Sequence, residues 1–150
     1  MTVLGFDFGL RRIGVAVGQR VTNTASAIAV IRHMAQGPDW SACDALLKTW
    51  RPQALVVGLP LTRDGSEQLM TVAARAFGEQ LATRYTLPVH FADERFTSRA
   101  ADSAFVAARR AGLARKKDAA MLDAQAARGI VEQWLDQTTQ ETTTPENSSP

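Results

Sequence analysis

Two short apolar runs joined by a tight turn open the chain, and they limit its fold more than any other feature. Val3, Leu4, Phe6 and Phe8 form one strand-like run, and Ile13, Val15 and Val17 alternate as a second. Gly9, Leu10, Arg11 and Arg12 supply the turn between them, so the pattern predicts a β-hairpin. A third run, Thr24 to Ile31, extends it to an antiparallel meander. The periodicity then changes. Trp40, Cys43, Leu46, Leu47 and Trp50 fit a helical stripe with Pro38 before it and Pro52 after it. The run ALVVGLP reads as a buried parallel strand. Ser66 to Tyr85 reads as a helix and PVHFADE as a short strand. Ser98 can cap a helix from Arg99 to Ala111 that Gly112 ends, and a last helix runs from about Ala119 to Leu135. The order β-β-β-α-β-α-β-α-α predicts an α/β fold: a mixed sheet with helices on its faces.

One residue conflicts with this pattern. Asp7 lies in the middle of a strand that otherwise reads as buried. An ionised carboxylate taken from water without a partner is costly, so Asp7 needs a cation, a donor or a metal. Backbone N–H groups of the Gly9 turn are one local solution.

Length bounds the chain to one domain, expected over residues 1–137 of the 150. Residues 138–150 (TTQETTTPENSSP) carry no apolar anchor and are expected to form a disordered polar, acidic tail. With 45% hydrophobic and 21% charged residues, the composition is that of a soluble globular protein. Net charge is only +2, but it is unevenly spread. Arg95, Arg99, Arg109, Arg110, Arg115, Lys116 and Lys117 face one acid, Asp102, over that stretch, whereas the stretch after Leu135 has acids and no bases. A basic segment of this kind suits a polyanionic partner, or else a solvated helix face. The single cysteine, Cys43, excludes an internal disulfide and a cysteine-based metal cluster, and its register makes it a small core residue. No apolar run reaches the roughly 18 residues of a membrane span. No signal peptide is visible, so a cytoplasmic location is expected.

Acids occupy three unusual places. Asp7 is inside the first strand, Asp93 and Glu94 follow the last strand, and Asp123 lies on the final helix. Asp123, Ala127, Ile130 and Trp134 are spaced to share one stripe, while Glu132 and Asp136 fall on the opposite side. The stripe that faces the sheet therefore begins with a carboxylate, although an acid near a helix start also gains from the helix dipole. A strand centre, a strand end and a helix start can converge at one edge of an α/β sheet. Close carboxylates repel unless a cation sits between them, and oxygen-only ligation selects a hard ion, Mg²⁺ or Mn²⁺. Two such ions can act on a phosphodiester, with basic residues holding the phosphates. His33 and His90 have no partner at zinc-like spacing and read as structural or surface residues. The loop GLPLTRDGSEQ reads either as a turn with a helix start or as a loop that brings Arg63 and backbone N–H groups to a phosphate.

The set GFDFGLRRIGVAVGQ, VVGLPLTRDGSEQ, DERFTS and LDAQAARGIV resembles the YqgF (RuvX) family, relatives of the Holliday junction resolvase RuvC within the ribonuclease H-like superfamily. The likeness runs from about Val3 to Leu135. It implies a ribonuclease H-like sheet of five strands in the order 3-2-1-4-5, the first three antiparallel, with helices on both faces. It also implies a bacterial cytoplasmic nuclease acting on the 5′ end of precursor 16S ribosomal RNA, with Mg²⁺ or Mn²⁺. By the matching motifs, Asp7, Glu94 and Asp123 are the catalytic and metal-binding triad. Asp93 alternates to the other face, and Asp118 fits less well than Asp123, which alone precedes Ala126 and Ala127 at the family spacing. Arg11, Arg12, Arg63, Arg95, Arg99, Arg115, Lys116 and Lys117 are the expected nucleic-acid contacts. Leu10 departs from a commonly polar position, and Arg128 and Gly129 depart from apolar or small ones. Gly129 should weaken its helix by about 1 kcal/mol relative to Ala.

Rival readings make different demands. The phosphate-binding hairpin of actin-like and sugar-kinase ATPases has a similar start, but this chain is short for two such domains and lacks a second Asp-x-Gly hairpin. A non-catalytic nucleic-acid-binding or transcription-associated module needs no acidic cluster. A DNA junction resolvase needs a dimer. The expected partners are precursor rRNA, structured DNA as the alternative, and ribosomal particles, with no membrane and with the protein a monomer or weak homodimer.

Overall fold

The opening hairpin forms with Asp7 opposite Gly14. Strand β1 (Thr2–Phe8) pairs antiparallel with β2 (Arg12–Gln19), and β2 with β3 (Thr24–Met34). The structure is a computed structural model that describes residues 1–61, 64, 67–94 and 116–143, with side chains described over 1–61, 64, 67–94 and 121–137. Between Val15 and Ala16 the β2–β3 register shifts, leaving Ile28 as the extra residue of a bulge. The chain continues through β4 (Gly37–Pro38), α1 (Trp40–Trp50), β5 (Ala54–Leu59), α2 (Leu69–Tyr85), β6 (Val89–Asp93) and α3 (Lys116–Thr143). Strand order is β4-β3-β2-β1-β5-β6, with β5 parallel to both β1 and β6.

The expected 3-2-1-4-5 order is therefore present, and the correction is a sixth strand at the edge. Gly37, at a φ of 121°, turns the chain back so that Met34 pairs Gly37 and His33 pairs Pro38. A proline is tolerated there because an outer edge needs no further donor.

Period-two alternation divides the sheet into two apolar layers. Leu4, Phe6, Ile13, Val15, Leu55 and Val57 face Cys43 of α1 and Ala74, Phe77 and Leu81 of α2. Val3, Ala16, Ala54, Val56 and Ala92 face Ala127, Ile130, Val131, Trp134 and Leu135 of α3. The stripe expected on the last helix is thus the one that packs, and Glu132 and Asp136 are exposed. Asp39 caps α1, its Oδ1 accepting from the Ala42 N–H at 3.2 Å, and Arg51 in the left-handed region ends it before Pro52.

Two helix limits differ from expectation. Helix α2 begins at Leu69, because the Gln68 N–H donates to Thr71 Oγ1 and the Thr71 hydroxyl donates to the Pro60 carbonyl, tying the helix start to the end of β5. Helix α3 passes Leu135 and reaches Thr143, so residues 138–143 of the expected tail are helical. The helix expected from Arg99 to Ala111, Ser66 and residues 144–150 lie outside the described residues.

Candidate active site

Glycines on the α3 side of the sheet decide where the acids go. A Cβ on Gly14 would lie 1.9 Å from the Asp123 carbonyl oxygen. One on Gly5 would lie 2.1 Å from Val131 Cγ2, and one on Gly18 2.4 Å from Val131 Cγ1. Helix α3 can approach the hairpin this closely only because these positions lack side chains. Gly14 is also the cross-strand partner of Asp7. The backbone of Asp123 is thereby seated over the pair to which Asp7 belongs.

Glu94 reaches the same face. A Cβ on Gly58 would sit 3.0 Å from Glu94 Cγ and Cδ and 2.4 Å from Ile130 Cδ1. Alternation along β6 points His90 at Trp134 (ring centroids 5.2 Å apart) and Ala92 into the α3 layer. Phe91 points the other way, against Gly78 of α2, and Asp93 follows it by the same alternation.

Asp7 and Glu94 share a side-chain hydrogen bond. Burial pushes the Asp7 carboxyl up to about 6. The Glu94 hydrogen bond opposes that rise and the charge of Asp123 adds to it. Asp7 therefore does not depend on the Gly9 turn. The Gly9 carbonyl instead meets His33 Nε2 at 2.8 Å, which gives His33 the structural role expected of it. Asp123 is also raised, by burial, and the Arg12 guanidinium counteracts this. Arg12 Nε donates to Asp123 Oδ2 at 2.8 Å, both side chains being about one-third exposed.

The structure thus joins Asp7 to Glu94 directly and sets Asp123 close enough for its charge to be felt, with the Asp123 carboxylate engaged by Arg12. Among the described residues no three His, Cys, Asp or Glu side chains are close enough to chelate one ion. The donor set is nonetheless all carboxylate oxygen. An Asp7 driven up to about 6 is a part-buried acid whose ionised form lacks sufficient counter-charge. Such a set fits a hard divalent cation.

The basic residues divide. Arg11 is exposed on the β1–β2 turn, whereas Arg12 is held in the Asp123 ion pair. Arg63, Arg95, Arg99 and Arg115 lie outside the described residues, as do the side chains of Lys116, Lys117 and Asp118. Sequence reasoning passed over the positional roles of Gly14 and Gly58 and the Arg12–Asp123 pair. The period-two run Gly14, Ala16, Gly18 was the available signal, since small residues on one strand face admit a close helix.

A second charged cluster lies on the other side of the sheet. Arg84 grips Asp44 with Nε to Oδ1 at 2.9 Å and Nη2 to Oδ2 at 2.8 Å, and the Tyr85 hydroxyl donates to Oδ1 at 2.6 Å. Arg84 also lies 5.0 Å from the Trp40 ring centroid. Arg84 and Tyr85 together hold the Asp44 carboxyl down at about 2.

Comparison with known proteins bears on the family and the fold. A family model described as "RuvX: Holliday junction resolvase" matches residues 1–137. A protein of Xanthomonas euvesicatoria named "Putative pre-16S rRNA nuclease" is 52% identical over 144 residues, covering 96% of this chain and 93% of that protein. A protein of the same name from Xanthomonas oryzae is 53% identical over 134 residues, covering 89% and 86%. Among solved structures, Thermus thermophilus RuvC in complex with a Holliday junction aligns at a TM-score of 0.53 and 18% identity, covering 93% of this chain and 96% of that one. The fowlpox virus Holliday junction resolvase aligns at 0.53 and 13% identity, covering 92% and 99%. At these identities the structural likeness speaks to fold, and the fold is that of the RuvC-type, ribonuclease H-like proteins.

Proposed function

The chain belongs to the RuvX family, and from that membership we propose that it is a metal-dependent nuclease that hydrolyses phosphodiester bonds to process the 5′ end of precursor 16S rRNA. The observation that carries the reading is the pairing of part-buried Asp7 with Glu94, beneath a helix that brings Asp123 to the same sheet edge. A purely structural acid in a strand would be matched by local donors. Here its neighbours are two more acids: Glu94 as its hydrogen-bond partner, and Asp123, whose charge opposes its ionisation.

Asp7, Glu94 and Asp123 are the residues that would hold Mg²⁺ or Mn²⁺. When bound, a divalent ion supplies a nucleophilic water and charge neutralisation at the phosphate. Asp7 and Glu94 contribute adjacent oxygens on the strand side, and the backbone contact over Gly14 fixes the origin of the Asp123 side chain. Arg11 stands exposed beside this edge and is suited to a substrate phosphate. Arg63, Arg95, Arg99, Arg115, Lys116 and Lys117 extend the same electrostatic reading along the chain.

Residues 1–137 form the nuclease domain in this reading, the span that the family model matches. In this reading the protein acts on precursor rRNA in the cytoplasm, in contact with ribosomal particles, as a monomer or weak homodimer. No helix of the described residues is long and apolar enough to cross a membrane.

The test is cleavage of precursor rRNA, single-stranded RNA and four-way DNA junctions, each with and without Mn²⁺. Mn²⁺-dependent cut of precursor rRNA is the expected result. Cleavage confined to junctions would make the protein a DNA resolvase, as the family description has it. Binding to all three without cleavage would leave a binding module.

A further inference from the structure

We propose that Arg12 is a displaceable counter-ion of the metal site: it holds Asp123 while the site lacks a divalent cation, gives Asp123 up when one enters, and turns to the incoming phosphate. This deepens the nuclease reading and rests on it. Three observations point the same way.

The first is the form of the ion pair. Arg12 and Asp123 are 111 residues apart in sequence and meet through one hydrogen bond, Nε to Oδ2 at 2.8 Å. The Arg84–Asp44 pair of the same protein is two-pointed and reinforced by Tyr85. A single-point contact constrains a guanidinium less than a fork does, so it exchanges more readily.

The second is access. Arg12 and Asp123 are 33% and 29% exposed, so a cation or a phosphate can approach either side chain from solvent. The third is the pivot. The Asp123 backbone is seated against Gly14, where even a Cβ would meet its carbonyl oxygen at 1.9 Å. The helix therefore need not move for the exchange. Rotation of the Asp123 side chain suffices, and its carboxylate starts within electrostatic range of Asp7.

The consequence is linkage. Arg12 and a divalent cation compete for one carboxylate, and that carboxylate and a phosphate compete for Arg12. A phosphate that draws Arg12 away leaves Asp123 open to the cation. Metal and nucleic acid then each strengthen the binding of the other, by the same factor. A guanidinium suits both states, because it pairs equally with carboxylate and phosphate oxygens.

The experiment is titration calorimetry of the full-length protein with Mn²⁺, alone and with a hydrolysis-resistant phosphorothioate RNA oligonucleotide. The proteins are wild type, Arg12→Gln, Arg12→Lys and Arg32→Gln. Arg32 is the cross-strand neighbour of Arg12 and removes the same charge without touching Asp123. Arg12→Gln should bind Mn²⁺ roughly three- to tenfold more tightly than wild type, the range expected for losing a part-exposed competing cation. Arg12→Lys should stay near wild type, and Arg32→Gln should change affinity less than about twofold, since an exposed charge is screened. The oligonucleotide should tighten Mn²⁺ binding to wild type more than to Arg12→Gln. A general loss of structure would weaken binding, so tightening is not a result that damage can mimic. Equal or weaker Mn²⁺ binding by Arg12→Gln overturns the proposal, as does an equal gain from Arg32→Gln. Absence of Mn²⁺ binding by wild type and variants alike removes the metal site and the nuclease reading with it.

Discussion

The two faces of the sheet each carry a charged cluster, and one carboxylate of each behaves in the opposite way to the other. Asp44 sits at the surface, gripped by Arg84 and Tyr85, and is held down at about 2. Asp7 sits under α3 and is pushed up to about 6 by burial. Asp44 has a two-pointed guanidinium and a hydroxyl as partners, so its charge is already matched from within. Asp7 has a second acid as its hydrogen-bond partner and a third nearby, so its charge is an unmet demand. A cluster matched from within is a structural feature. A cluster that opposes its own ionisation anticipates something from outside.

The sharpest way to break this comparison is to neutralise one acid from each face. Asp7→Asn and Glu94→Gln nearly preserve shape while removing an anionic ligand. Cleavage should fall by about a thousandfold or more, because water activation and leaving-group stabilisation are both lost with the ion. Stability should hold or rise, since repelling carboxylates work against the fold. Asp44→Asn should leave cleavage per folded molecule unchanged. Cleavage rate and melting temperature measured on the same preparations decide it. Loss of stability with unchanged cleavage in Asp7→Asn would make Asp7 as structural as Asp44.

The next largest effect concerns how the acids are brought together. Gly14→Ala puts a methyl group where the Asp123 backbone lies. A backbone obstacle cannot rotate away, so the helix must lift, at a cost of about 3 kcal/mol or more. Urea unfolding would show this, and cleavage should fall with it. A drop below about 1 kcal/mol would mean that α3 is not held against the hairpin at this point.

That contact also marks where sequence reading stops. The hairpin and the helix–strand alternation were legible because period-two and period-three-to-four patterns reflect which face is buried, whereas the strand order came only with the family resemblance. The stripe Asp123, Ala127, Ile130, Trp134 was legible for the same reason. Its approach distance was not, because hydrophobic spacing says which side faces the sheet and not how near it comes. Arg12 illustrates a second limit. In sequence it is a basic turn residue, suited to a phosphate, and nothing local ties it to an acid on the last helix. The edge strand follows from the backbone turn at Gly37, and the late start of α2 from two hydrogen bonds of the Thr71 hydroxyl, and such local features leave little trace in composition.

pH separates the two faces by sign. In metal-free protein, Asp7 titrates near 6 when folded, against an ordinary value of 3.8. Below about pH 4 the carboxyl is protonated in both states. As pH rises toward 6 the unfolded chain ionises first, so folded Asp7 costs stability across that window, and the cost is complete above it. Its size is about 1–3 kcal/mol, opposed by the groups that titrate the other way. Urea unfolding in EDTA between pH 4 and 7 should show the fall in wild type and a flatter profile in Asp7→Asn. Mn²⁺ should restore part of the lost stability at pH 7, since a ligand that binds the folded state stabilises it. A profile unaltered by Asp7→Asn would remove burial of its charge as the cause.

The smallest expected effect falls on the other face and has the reverse sign. Asp44 is held at about 2 in the folded protein, below its ordinary 3.8, with the Arg84 fork the largest cause and the Tyr85 hydroxyl the next. Its stabilising contribution is present above about pH 4 and is lost as pH falls toward 2. The pair is nearly half exposed, at 42% for Arg84 and 47% for Asp44, so solvent and salt screen most of the attraction. Asp44→Asn should therefore lower the melting temperature at pH 7 by no more than about 2–4 °C. The difference from wild type should shrink below pH 3, where the native carboxylate is itself becoming neutral. Raising salt should shrink it too, whereas burial, the main cause of the Asp7 penalty, responds little to salt. A loss of more than about 8 °C at Asp44, persisting in high salt, would show that the two-pointed grip of Arg84 carries more of the α1–α2 contact than a surface ion pair can, and would erase the contrast between a satisfied cluster and a waiting one.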